Sequence, residues 1–529
     1  MNSLLLCDSY KTNHYMQYPE GMTKLYSNFT PRGSRLKRPD GSLVQYVVVT
    51  GIQHFVLEYL IKHFNENFFG KRRTTEPRPG IKDPDFKAQV IAEYKRHIPV
   101  DTAHIEELWD LGYLPLEIKA LDEGTLCPVG VPMLTITNTH PNFGWLVNYL
   151  ETLMSCMLWQ MITSATIAFE FKRILTRWAK QTDEKNIEFV NWQGHDFSMR
   201  GMSSVESAIL SGMGHLLSFT GTDTIPVIYQ LEQSYNADGL IGASVPATEH
   251  SVMCMGTKES EIETFSRLID LHKNSPVLSI VSGDLWKVLT EYLPALKDKI
   301  LAGNTKIVIR PDSGDSVDII CGHNYSIKAV EQFEGSSTHP AFKGVIELLW
   351  DIFGGTINEQ GYKVLDPHIG AIYGDSITME RAEQICEKLA AKGFASTNVV
   401  FGIGSYTYQY NTRDTFKMAM KATYGEITHP PTGNCKPSCK GNGCVGCKPE
   451  IEAREIFKDP VTDDGSKRSK KGLLCVIGNE TGMSKNILVK DQCTWEQEQR
   501  GLLTTVFKDG KLVKTTTLAE IRERLKAQA

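Results

Sequence analysis

Residues 306–315 of this 529-residue chain read Lys306-Ile307-Val308-Ile309-Arg310-Pro311-Asp312-Ser313-Gly314-Asp315. The β-branched run predicts a buried parallel strand inside an α/β core, and the charged, glycine-containing turn ends it sharply. The turn places an arginine, an aspartate and a serine at the carboxyl end of the strand, where α/β sheets and barrels carry their chemistry. An arginine fork beside a carboxylate suits a ligand that carries both phosphates and hydroxyls.

The same order of apolar run and polar turn recurs through the middle of the chain. We expect further strands over 187–192, 243–246, 276–281, 369–373 and 398–401, each followed by a turn rich in Gly, Asp, Ser or His. Helical patterns follow several turns, and one of them runs from Phe342 to Phe353 with Gly354 as its stop signal. About six strand–turn–helix units predict a (β/α) barrel, with a doubly wound open sheet as the alternative.

The composition is that of an ordinary globular protein, with 41% hydrophobic residues, 22% charged residues and a net charge of −5. This balance gives no general attraction for nucleic acid or for an anionic membrane, so any anion binding must be local. No signal peptide is evident, and the most apolar long segment, 153–171, is interrupted by polar residues and predicts a buried helix. We therefore expect the 12 cysteines to be mostly reduced thiols and the protein to be cytoplasmic.

Two domains are expected from the order of these patterns. Residues 185–414 hold the repeating units and form the predicted barrel domain. Residues 1–184 and 415–529 form a discontinuous mixed α+β domain, because short β-like runs occupy 116–137 and a hairpin signal lies at Asp509-Gly510. A cysteine-rich insertion interrupts this domain at about 430–450.

Several short motifs stand in one order along nearly the whole chain. They are Asp8-Ser9-Tyr10-Lys11, His195-Asp196-Phe197, Gly221-Thr222-Asp223-Thr224, Ser244-Val245-Pro246-Ala247-Thr248-Glu249-His250, Ile309-Arg310-Pro311-Asp312-Ser313-Gly314 and Phe457-Lys458-Asp459-Pro460. In these motifs the chain resembles the nicotinamide phosphoribosyltransferase family. The resemblance implies the type II phosphoribosyltransferase fold, an irregular α/β barrel beside a mixed, β-rich domain formed by both chain ends. It also implies a homodimer with active sites at the interface.

The reaction implied by the resemblance joins nicotinamide to 5-phosphoribosyl 1-pyrophosphate, releasing nicotinamide mononucleotide and pyrophosphate, with Mg²⁺ required. Loss of pyrophosphate gives the ribose oxocarbenium character, so cations are needed around the leaving group and polar or anionic groups near the ring. By resemblance, this substrate is held at the barrel by Arg200, Arg310, His250, Asp312, Gly374, Asp375 and Ser405. The three cations would surround the pyrophosphate, and Asp312 would meet the ribose hydroxyls.

The nicotinamide ring needs a flat slot and a partner for its carboxamide. By resemblance, Phe197 and Tyr10 sandwich the ring, with Tyr10 supplied by the other subunit, and Arg310 also borders the slot. Asp223 would accept a hydrogen bond from the carboxamide and repel a nicotinate carboxylate, and the alternative role for Asp223 is to cap the next helix. The 5′-phosphate site, also shared with the partner subunit, is expected to contain Arg32, Arg413, Lys421, Lys458 and Lys467.

His250 has a second expected role. In the family the corresponding histidine is phosphorylated by ATP, which makes ATP a coupling phosphoryl donor. A carboxylate that holds the second ring nitrogen makes a histidine a competent acceptor. Glu249 is its sequence neighbour, and Asp284 is the other candidate for this acid. Placing Asp284 on the aspartate of the family pattern requires one inserted residue in the turn 282–287.

Four cysteines cluster in the insertion, at Cys435, Cys439, Cys444 and Cys447. Their spacing lies in the range of structural zinc sites, and a segment so poor in apolar residues cannot form a core of its own. We therefore expect a structural Zn²⁺ here, with a flexible reduced loop and an Fe–S cluster as the alternatives.

Two alternatives to this activity remain. Nicotinate phosphoribosyl transfer uses the same chemistry and is opposed by Asp223. A non-catalytic barrel that binds nucleotides is opposed by the complete set of Arg310, Asp312 and His250.

Overall fold

Two β-sheets of different kinds organise the chain. The computed structural model describes residues 1–71, 83–98, 101–257, 259–333, 336–374, 376–429, 449–458, 469–478 and 487–528. Within these ranges one six-stranded sheet is wholly parallel, and one seven-stranded sheet is wholly antiparallel. Three two-stranded sheets complete the described strands.

The strands are numbered in chain order: β1 Met22–Pro31, β2 Tyr46–Val48, β3 Leu116–Ala120, β4 Leu126–Pro128, β5 Leu134–Asn138, β6 Gly194–Asp196, β7 Gly221–Thr222, β8 Val277–Ile280, β9 Lys306–Ile309, β10 Gly355–Ile357, β11 Lys363–Leu365, β12 Ile369–Tyr373, β13 Val399–Ile403, β14 Met418–His429, β15 Glu450–Glu455, β16 Leu473–Ile477, β17 Leu488–Cys493, β18 Thr504–Lys508 and β19 Lys511–Leu512.

The α-helices are α1 His14–Gln17, α2 Ile52–Phe55, α3 Phe64–Asn67, α4 Pro84–His97, α5 Ala103–Leu111, α6 Gly144–Tyr149, α7 Glu151–Thr182, α8 Val190–Gln193, α9 Val205–His215, α10 Pro226–Tyr235, α11 His250–Met255, α12 Glu261–Leu271, α13 Leu285–Lys287, α14 Leu293–Leu301, α15 Ser316–Cys321, α16 Ile327–Gln332, α17 Gly344–Phe353, α18 Met379–Ala391, α19 Ser405–Tyr408, α20 Trp495–Gln499 and α21 Leu518–Lys526. Short 3₁₀-helices include Ser9–Asn13, Glu184–Phe189 and Met199–Gly201, and π-helical turns cover Val56–His63 and Val288–Tyr292.

The parallel sheet has the strand order β7-β6-β13-β12-β9-β8. Its two edge strands are joined by the segment 243–247, which bridges to Gly221 of β7 and to Ser279 of β8. Backbone hydrogen bonds run from Thr222 N to Ala243 O at 3.0 Å and from Ser279 N to Pro246 O at 2.9 Å. The sheet is therefore curled into an irregular barrel, as the sequence predicts, and the open-sheet alternative is wrong.

Burial on both faces explains why the barrel strands are nearly continuous apolar runs. All five residues of β12 are buried, as are Ile307 and Ile309 of β9. Outside the barrel, α17 buries Ile346 and Leu349 and ends at Gly354, whose φ of 72° favours glycine. This helix and its stop signal confirm the sequence prediction.

Two of the expected strands were wrong. Residues 187–192 lie in a 3₁₀-helix and in α8, and the strand β6 begins only at Gly194. Here Val190 packs into the barrel core from a helical turn, together with side chains of α7. Residues 243–246 form no regular strand and contribute to the bridges that close the barrel. A short apolar run does not distinguish a strand from a buried helical turn, and packing decides between them.

The antiparallel sheet has the order β15-β14-β1-β5-β3-β18-β19. Its strands β1, β3 and β5 precede the barrel in sequence, whereas β14, β15, β18 and β19 follow it. The second domain is therefore formed by both chain ends, as expected. The hairpin predicted at Asp509-Gly510 joins β18 to β19.

The 32-residue helix α7 connects the two hydrophobic cores, because its first half packs in the core of the antiparallel domain and its second half in the barrel core. By length and composition α7 could cross a membrane, but 78% of its most apolar window is buried inside the fold. Its burial is that of a core helix, as its sequence predicts.

Candidate active site

The carboxyl ends of the barrel strands open at one mouth, and many of the predicted site residues lie on the turns just beyond them. Phe197 follows β6, Asp223 follows β7, Arg310 follows β9 and Gly374 follows β12. His250 begins α11, shortly after the segment that closes the barrel. Because parallel strands bring their carboxyl ends to the same edge, residues far apart in sequence share this mouth.

One side of the mouth, here called the base wall, consists of His195, Phe197, Asp223 and Ser244. Asp223 Oδ1 lies 2.9 Å from His195 Nε2, and Ser244 Oγ donates a hydrogen bond to the same oxygen. Burial works to raise the pKa of Asp223, but His195, Ser244 and the charge of Arg310 outweigh burial and hold this pKa below its usual value. Asp223 is therefore an ionised acceptor at neutral pH, and it does not cap α10, which has its N-cap at residue 225.

A second carboxylate, Asp196, holds the base wall from inside the barrel. Asp196 is fully buried and accepts hydrogen bonds from Ser198 N at 2.9 Å, Thr224 Oγ1 at 2.8 Å and Thr222 Oγ1 at 3.3 Å. Its backbone carbonyl accepts a further bond from Asp223 N at 3.0 Å. These bonds tie the turn after β6 to the turn after β7, and they fix the position of Asp223 with them.

Phe197 gives the base wall a flat surface. Its ring centre lies 4.5 Å from that of His195, with a tilt of 44°. At Gly402 of β13, a Cβ would lie 2.6 Å from the Phe197 ring and 2.8 Å from Tyr373 O. Glycine is therefore required where the ring rests on the barrel backbone.

A cavity of about 180 Å³ extends from the base wall into the barrel. All four residues of the wall line this cavity, and its inner part is lined by strand residues such as Val308, Ala371 and Val400. A mostly apolar slot with a few fixed polar groups suits a small flat ligand that carries one polar substituent.

The other side of the mouth, here called the phosphate wall, consists of Arg200, His250, Arg310 and Asp312. Arg310 Nη2 donates to Thr248 O at 2.9 Å, whereas its buried Nε has no hydrogen-bond partner among the described residues. Burial lowers the pKa of Arg310, and the charges of Asp312 and Asp223 oppose that shift. The guanidinium thus keeps donors for an oxyanion in a geometry that suits bidentate contacts.

Two glycines explain how the phosphate wall packs. A Cβ at Gly374 would lie 3.5 Å from Arg310 Cδ, so the turn after β12 lies against the arginine stem. A Cβ at Gly201 would lie 2.0 Å from Ser405 Oγ, so the turns after β6 and β13 touch beside Arg200. The structure therefore brings Ser405 and Gly374 to the mouth together with the cations.

His250 lies beside Asp312 in the phosphate wall. Its Nδ1 is 3.7 Å from Asp312 Oδ2, and 49% of its side chain is exposed. Asp284 has a different partner, because its Oδ1 accepts a hydrogen bond from Lys287 N at 3.1 Å and caps α13. Glu249 accepts a bond from Ser251 Oγ. Among the described residues, the carboxylate within ion-pair distance of His250 is therefore Asp312, and neither Glu249 nor Asp284.

A separate group of cations lies on the antiparallel domain. Burial lowers the pKa of Lys421 on β14, Glu151 opposes that shift, and the positive charges of Arg32, Lys11 and Arg413 lower the pKa further. These cations therefore lie close enough to repel one another, with the buried Lys11 paired to Glu151, and an anion at Lys421 would relieve that repulsion.

Tyr10 and Lys458 also lie on the surface of the antiparallel domain. Tyr10 is 58% exposed, and Nζ of the buried Lys11 lies 5.3 Å from its ring centre. In the described part of the chain, Tyr10 makes no ring contact with Phe197 of the same chain. Lys458 is exposed, and its backbone N–H donates to Ser469 Oγ at 2.7 Å. The structure thus does not bring Tyr10 to the Phe197 ring of its own barrel.

Some of the predicted site residues lie outside the described residues, namely Asp375, Lys467, Cys435, Cys439, Cys444 and Cys447. Among the residues that are described, no group of three or more His, Cys, Asp or Glu side chains could hold a metal ion.

Two members of the base wall had no predicted role. His195 stands two residues before Phe197, and this strand spacing puts both side chains on one face, which is a signal that sequence analysis could have used. Ser244 gives no such signal, because the segment around it forms no regular strand.

Comparison with known proteins defines the class. The model of the nicotinate phosphoribosyltransferase (NAPRTase) family matches residues 192–433, and that of the nicotinamide phosphoribosyltransferase N-terminal domain matches residues 2–76. A nicotinate-nucleotide pyrophosphorylase from Pyrococcus furiosus has a similar fold, with a TM-score of 0.54 at 13% identity over 99% of this chain and 95% of that chain. The fold is that of the type II phosphoribosyltransferases.

Relatives of known name narrow the class. The nicotinamide phosphoribosyltransferase of Acinetobacter baylyi is 48% identical over 100% of this chain and 98% of its own length. That of Mycoplasma pneumoniae is 36% identical over 80% of this chain and 89% of its own length. The chain belongs to the nicotinamide phosphoribosyltransferase family.

Proposed function

We propose that this chain joins nicotinamide to 5-phosphoribosyl 1-pyrophosphate, forming nicotinamide mononucleotide and pyrophosphate in NAD salvage. The observation that carries the proposal is the base wall, in which the ionised Asp223 lies beside the flat ring of Phe197. An aromatic face with a fixed acceptor fits a pyridine carboxamide, and the cations of the phosphate wall fit a pyrophosphate. The relatives at 48% and 36% identity carry the name of this activity.

The phosphate wall suits the breaking of the bond between ribose C1 and the pyrophosphate oxygen. As this bond lengthens, negative charge collects on the pyrophosphate and positive charge on the ribose ring. Arg200, Arg310 and His250 would stabilise the negative charge, and Asp312 would hold the ribose hydroxyls. The pyridine nitrogen of nicotinamide, held flat against Phe197, would then attack C1 and complete the transfer.

The base wall favours the amide over the acid. The carboxamide NH₂ donates to Asp223, whereas the carboxylate of nicotinate would meet a like charge there. Because His195 and Ser244 hold the pKa of Asp223 low, this charge is present at neutral pH. Nicotinate is therefore the less favoured substrate.

We further propose that His250 accepts a phosphoryl group from ATP. It is half exposed at the mouth, and Asp312 faces its Nδ1, which leaves Nε2 as the attacking nitrogen. Nε2 would attack the γ-phosphorus, the bond to the β-phosphate oxygen would break, and ADP would leave. The phosphohistidine would then couple ATP hydrolysis to mononucleotide synthesis.

A homodimer would complete the site. Several large apolar side chains stay exposed on the elements that follow the barrel strands, namely Val205, Ile225, Tyr229, Met255 and Tyr406. Exposed apolar surface of this kind marks protein interfaces. A second subunit seated here would cover it and bring its own Tyr10 against Phe197, with its Arg32, Arg413, Lys421 and Lys458 at the 5′-phosphate.

Mg²⁺ fits this arrangement as a companion of the substrate. Proteins bind Mg²⁺ through one or two carboxylates together with substrate phosphates, and Asp312 supplies one carboxylate at the mouth. The ion would neutralise charge on the pyrophosphate when bound.

Outside the described residues, Cys435, Cys439, Cys444 and Cys447 are proposed to hold a structural Zn²⁺. This proposal rests on their spacing in the sequence. Metal analysis of protein purified without chelator should show about one zinc per chain, lost in a Cys444→Ser/Cys447→Ser variant. Sub-stoichiometric zinc in the parent protein would contradict it.

The enzyme is further proposed to act in the cytoplasm. All described cysteines are free thiols, which a reducing compartment preserves.

The decisive experiment incubates the purified protein with phosphoribosyl pyrophosphate, MgCl₂ and either nicotinamide or nicotinate, with and without ATP. We expect mononucleotide from nicotinamide, stimulated by ATP and abolished by a Mg²⁺ chelator. Product from nicotinate alone would support the nicotinate-specific activity, and no product from either base would support a non-catalytic barrel.

A further inference from the structure

A second cavity, of about 480 Å³, lies at the opposite end of the barrel from the mouth. It is lined by α7, by residues 187–191 before β6, by residues 217–220 before β7 and by α21. These segments precede the amino ends of β6 and β7, whereas Phe197 and Asp223 follow their carboxyl ends. This basal cavity shares no lining residue with the catalytic or substrate-binding residues described above.

The basal cavity carries excess positive charge. Its charged lining residues are Lys172, Lys180, Arg522, Lys526, Glu188 and Glu523. With all four cations protonated, four positive charges against two carboxylates leave an excess of two. Among the described residues, no carboxylate oxygen lies within 4.0 Å of a charged nitrogen of these four cations.

Lys172 reaches the cavity from α7. Its Nζ donates to Asn191 Oδ1 and lies 5.2 Å from the centre of the Phe219 ring. Glu188 accepts a hydrogen bond from Asn191 Nδ2 at 2.9 Å and makes no ion pair with Lys172 among the described residues. Burial lowers the pKa of Lys172 to about 7, Glu188 opposes this shift, and the neighbouring cations of α21 lower it further. With one N–H engaged, the ammonium keeps two donors for a ligand.

Arg522 adds charge to the cavity, and no carboxylate in the described part of the chain lies within ion-pair distance of it. Its N–H groups donate to the backbone carbonyls of Leu216, Leu240 and Ile241, at 2.6 to 3.2 Å. Burial lowers the pKa of Arg522 to about 10. The carbonyls hold the guanidinium in place but leave its charge uncompensated, which is costly in a partly buried site.

We propose that the basal cavity binds a small dianion of the phosphate class, either free phosphate or a phosphate group carried by a small metabolite. Lys172 and Lys526 would contact its oxygens, the exposed Lys180 would approach from the solvent side, and Arg522 would supply charge from behind. A dianion matches the excess of two charges better than a single carboxylate does. Binding would also return Lys172 to its fully protonated state.

Competitive acetylation tests this proposal on the full-length protein, because only the neutral amine of a lysine reacts. Acetic anhydride labels the protein briefly with and without sodium sulfate at constant ionic strength, and mass spectrometry gives the rate at each lysine. We expect sulfate to slow acetylation of Lys172 several-fold near pH 7 and to raise its titration midpoint by about one pH unit. Lys306, which lines the barrel cavity and has a pKa lowered by burial, is the internal control.

Two variants locate the effect. Lys526→Met should weaken the protection of Lys172 several-fold, with Lys180→Met as a second variant if the first does not fold. Lys511→Met removes one exposed charge on β19 and should change nothing. In the same samples, the acetylation rate of Lys421 reports anion binding at the proposed 5′-phosphate site. Protection of Lys421 without Lys172, or equal protection of Lys172 in the parent and the folded cavity variants, would overturn the proposal.

The source of the dianion is distinguished by replacing sulfate with inorganic phosphate and then with AMP at the same concentration. Equal protection of Lys172 supports free phosphate as the ligand, and stronger protection by AMP supports a phosphate carried by a metabolite. Failure of both to protect Lys172 would overturn the proposal.

Discussion

The base wall and the phosphate wall face the same mouth, yet they are built differently. In the base wall, Asp223 faces two hydrogen-bonding partners, and the buried Asp196 behind it accepts three side-chain or backbone bonds. In the phosphate wall, His250 is half exposed with its carboxylate partner at 3.7 Å, and the described residues offer no partner to Arg310 Nε.

This difference follows from what each wall would bind. A neutral base brings little binding energy, so its acceptor must be fixed in place before it arrives. A pyrophosphate brings its own charges, and cations that keep unused donor groups are available to it at the transition state. Changes in the phosphate wall should therefore reduce catalysis with little effect on folding, whereas changes in the base wall should alter the choice of base.

The largest effect is expected for Arg310→Gln. The variant should lose about a thousandfold in kcat/KM for phosphoribosyl pyrophosphate, because charge on the leaving group is no longer stabilised. Arg310→Lys keeps the charge without the planar fork, so its kcat/KM should lie between that of the parent protein and that of Arg310→Gln. Steady-state kinetics measure the loss, and thermal unfolding should change little because Arg310 donates one hydrogen bond, to Thr248 O. A loss of less than tenfold would remove Arg310 from the centre of the phosphate wall.

The second prediction is that each active site contains residues of both subunits. Tyr10→Ala and His250→Ala should each be inactive, yet equal amounts mixed under subunit exchange should recover about a quarter of the parental activity. Half of the dimers are then mixed, and each mixed dimer holds one site with neither change. Size-exclusion chromatography of differently tagged chains verifies the exchange. Complete exchange with no recovered activity would show that each site is made by a single chain.

The third prediction concerns the choice of base. Asp223→Asn should reduce the preference for nicotinamide over nicotinate by about ten- to a hundredfold, because the like charge is removed and the amide can donate to a carboxylate. Ser244→Ala removes one hydrogen bond and keeps the charge, so it should retain most of the preference. Competition assays with both bases measure the ratio.

The same prediction has a pH dependence. Because the pKa of Asp223 lies below its usual value, the carboxylate stays charged as the pH falls through the weakly acidic range. The preference for nicotinamide should therefore persist there. An unchanged preference in Asp223→Asn would place the selectivity elsewhere in the mouth.

The barrel and the placement of its mouth were predictable from local pattern. The run 306–309 and the run 369–373 are strands as expected, because a buried parallel strand is apolar throughout and ends at a polar turn. The positions of Phe197, Asp223 and Arg310 at the mouth follow from the common direction of those strands. These features depend on neighbours in sequence and on the rule that parallel strands end at the same edge of a sheet.

The partners within the site were not predictable in the same way. Asp284 and Asp312 both follow barrel strands, and nothing local shows that one caps a helix while the other faces His250. The pairing of His195 with Asp223 depends on the register of β6 against β7, in which His195 lies opposite Gly221. Such contacts are set by tertiary packing, which a single sequence does not specify.

The smallest effect is expected on stability, away from the mouth, near the segment that carries Tyr10. This region is held by the packing of aromatic rings, whereas the base wall is held by hydrogen bonds. Tyr15, just beyond this segment, stacks on His104 with ring centres 3.5 Å apart, and Trp145 meets His104 edge-on at 4.8 Å. Both ring nitrogens of His104 are buried without partners among the described residues, and burial lowers its pKa to about 4.

A lowered histidine pKa means that the folded state favours the neutral form of His104. Its contribution to stability is fully present above the unfolded-state pKa of about 6.5, and it is lost as the pH falls from there toward the folded value. At about pH 5 the loss should reach roughly 2 kcal/mol. His104→Phe keeps the ring stack without a titrating group. The loss in the free energy of unfolding between about pH 7.5 and 5, measured by urea denaturation, should therefore shrink by that amount. His54 and His215, with pKa values also lowered by burial to about 4, would supply the remaining pH dependence. Substitution of the exposed His97 is the matched control. An equal reduction in the pH dependence of stability in both variants would show that the burial of His104 among these aromatic rings is not the cause.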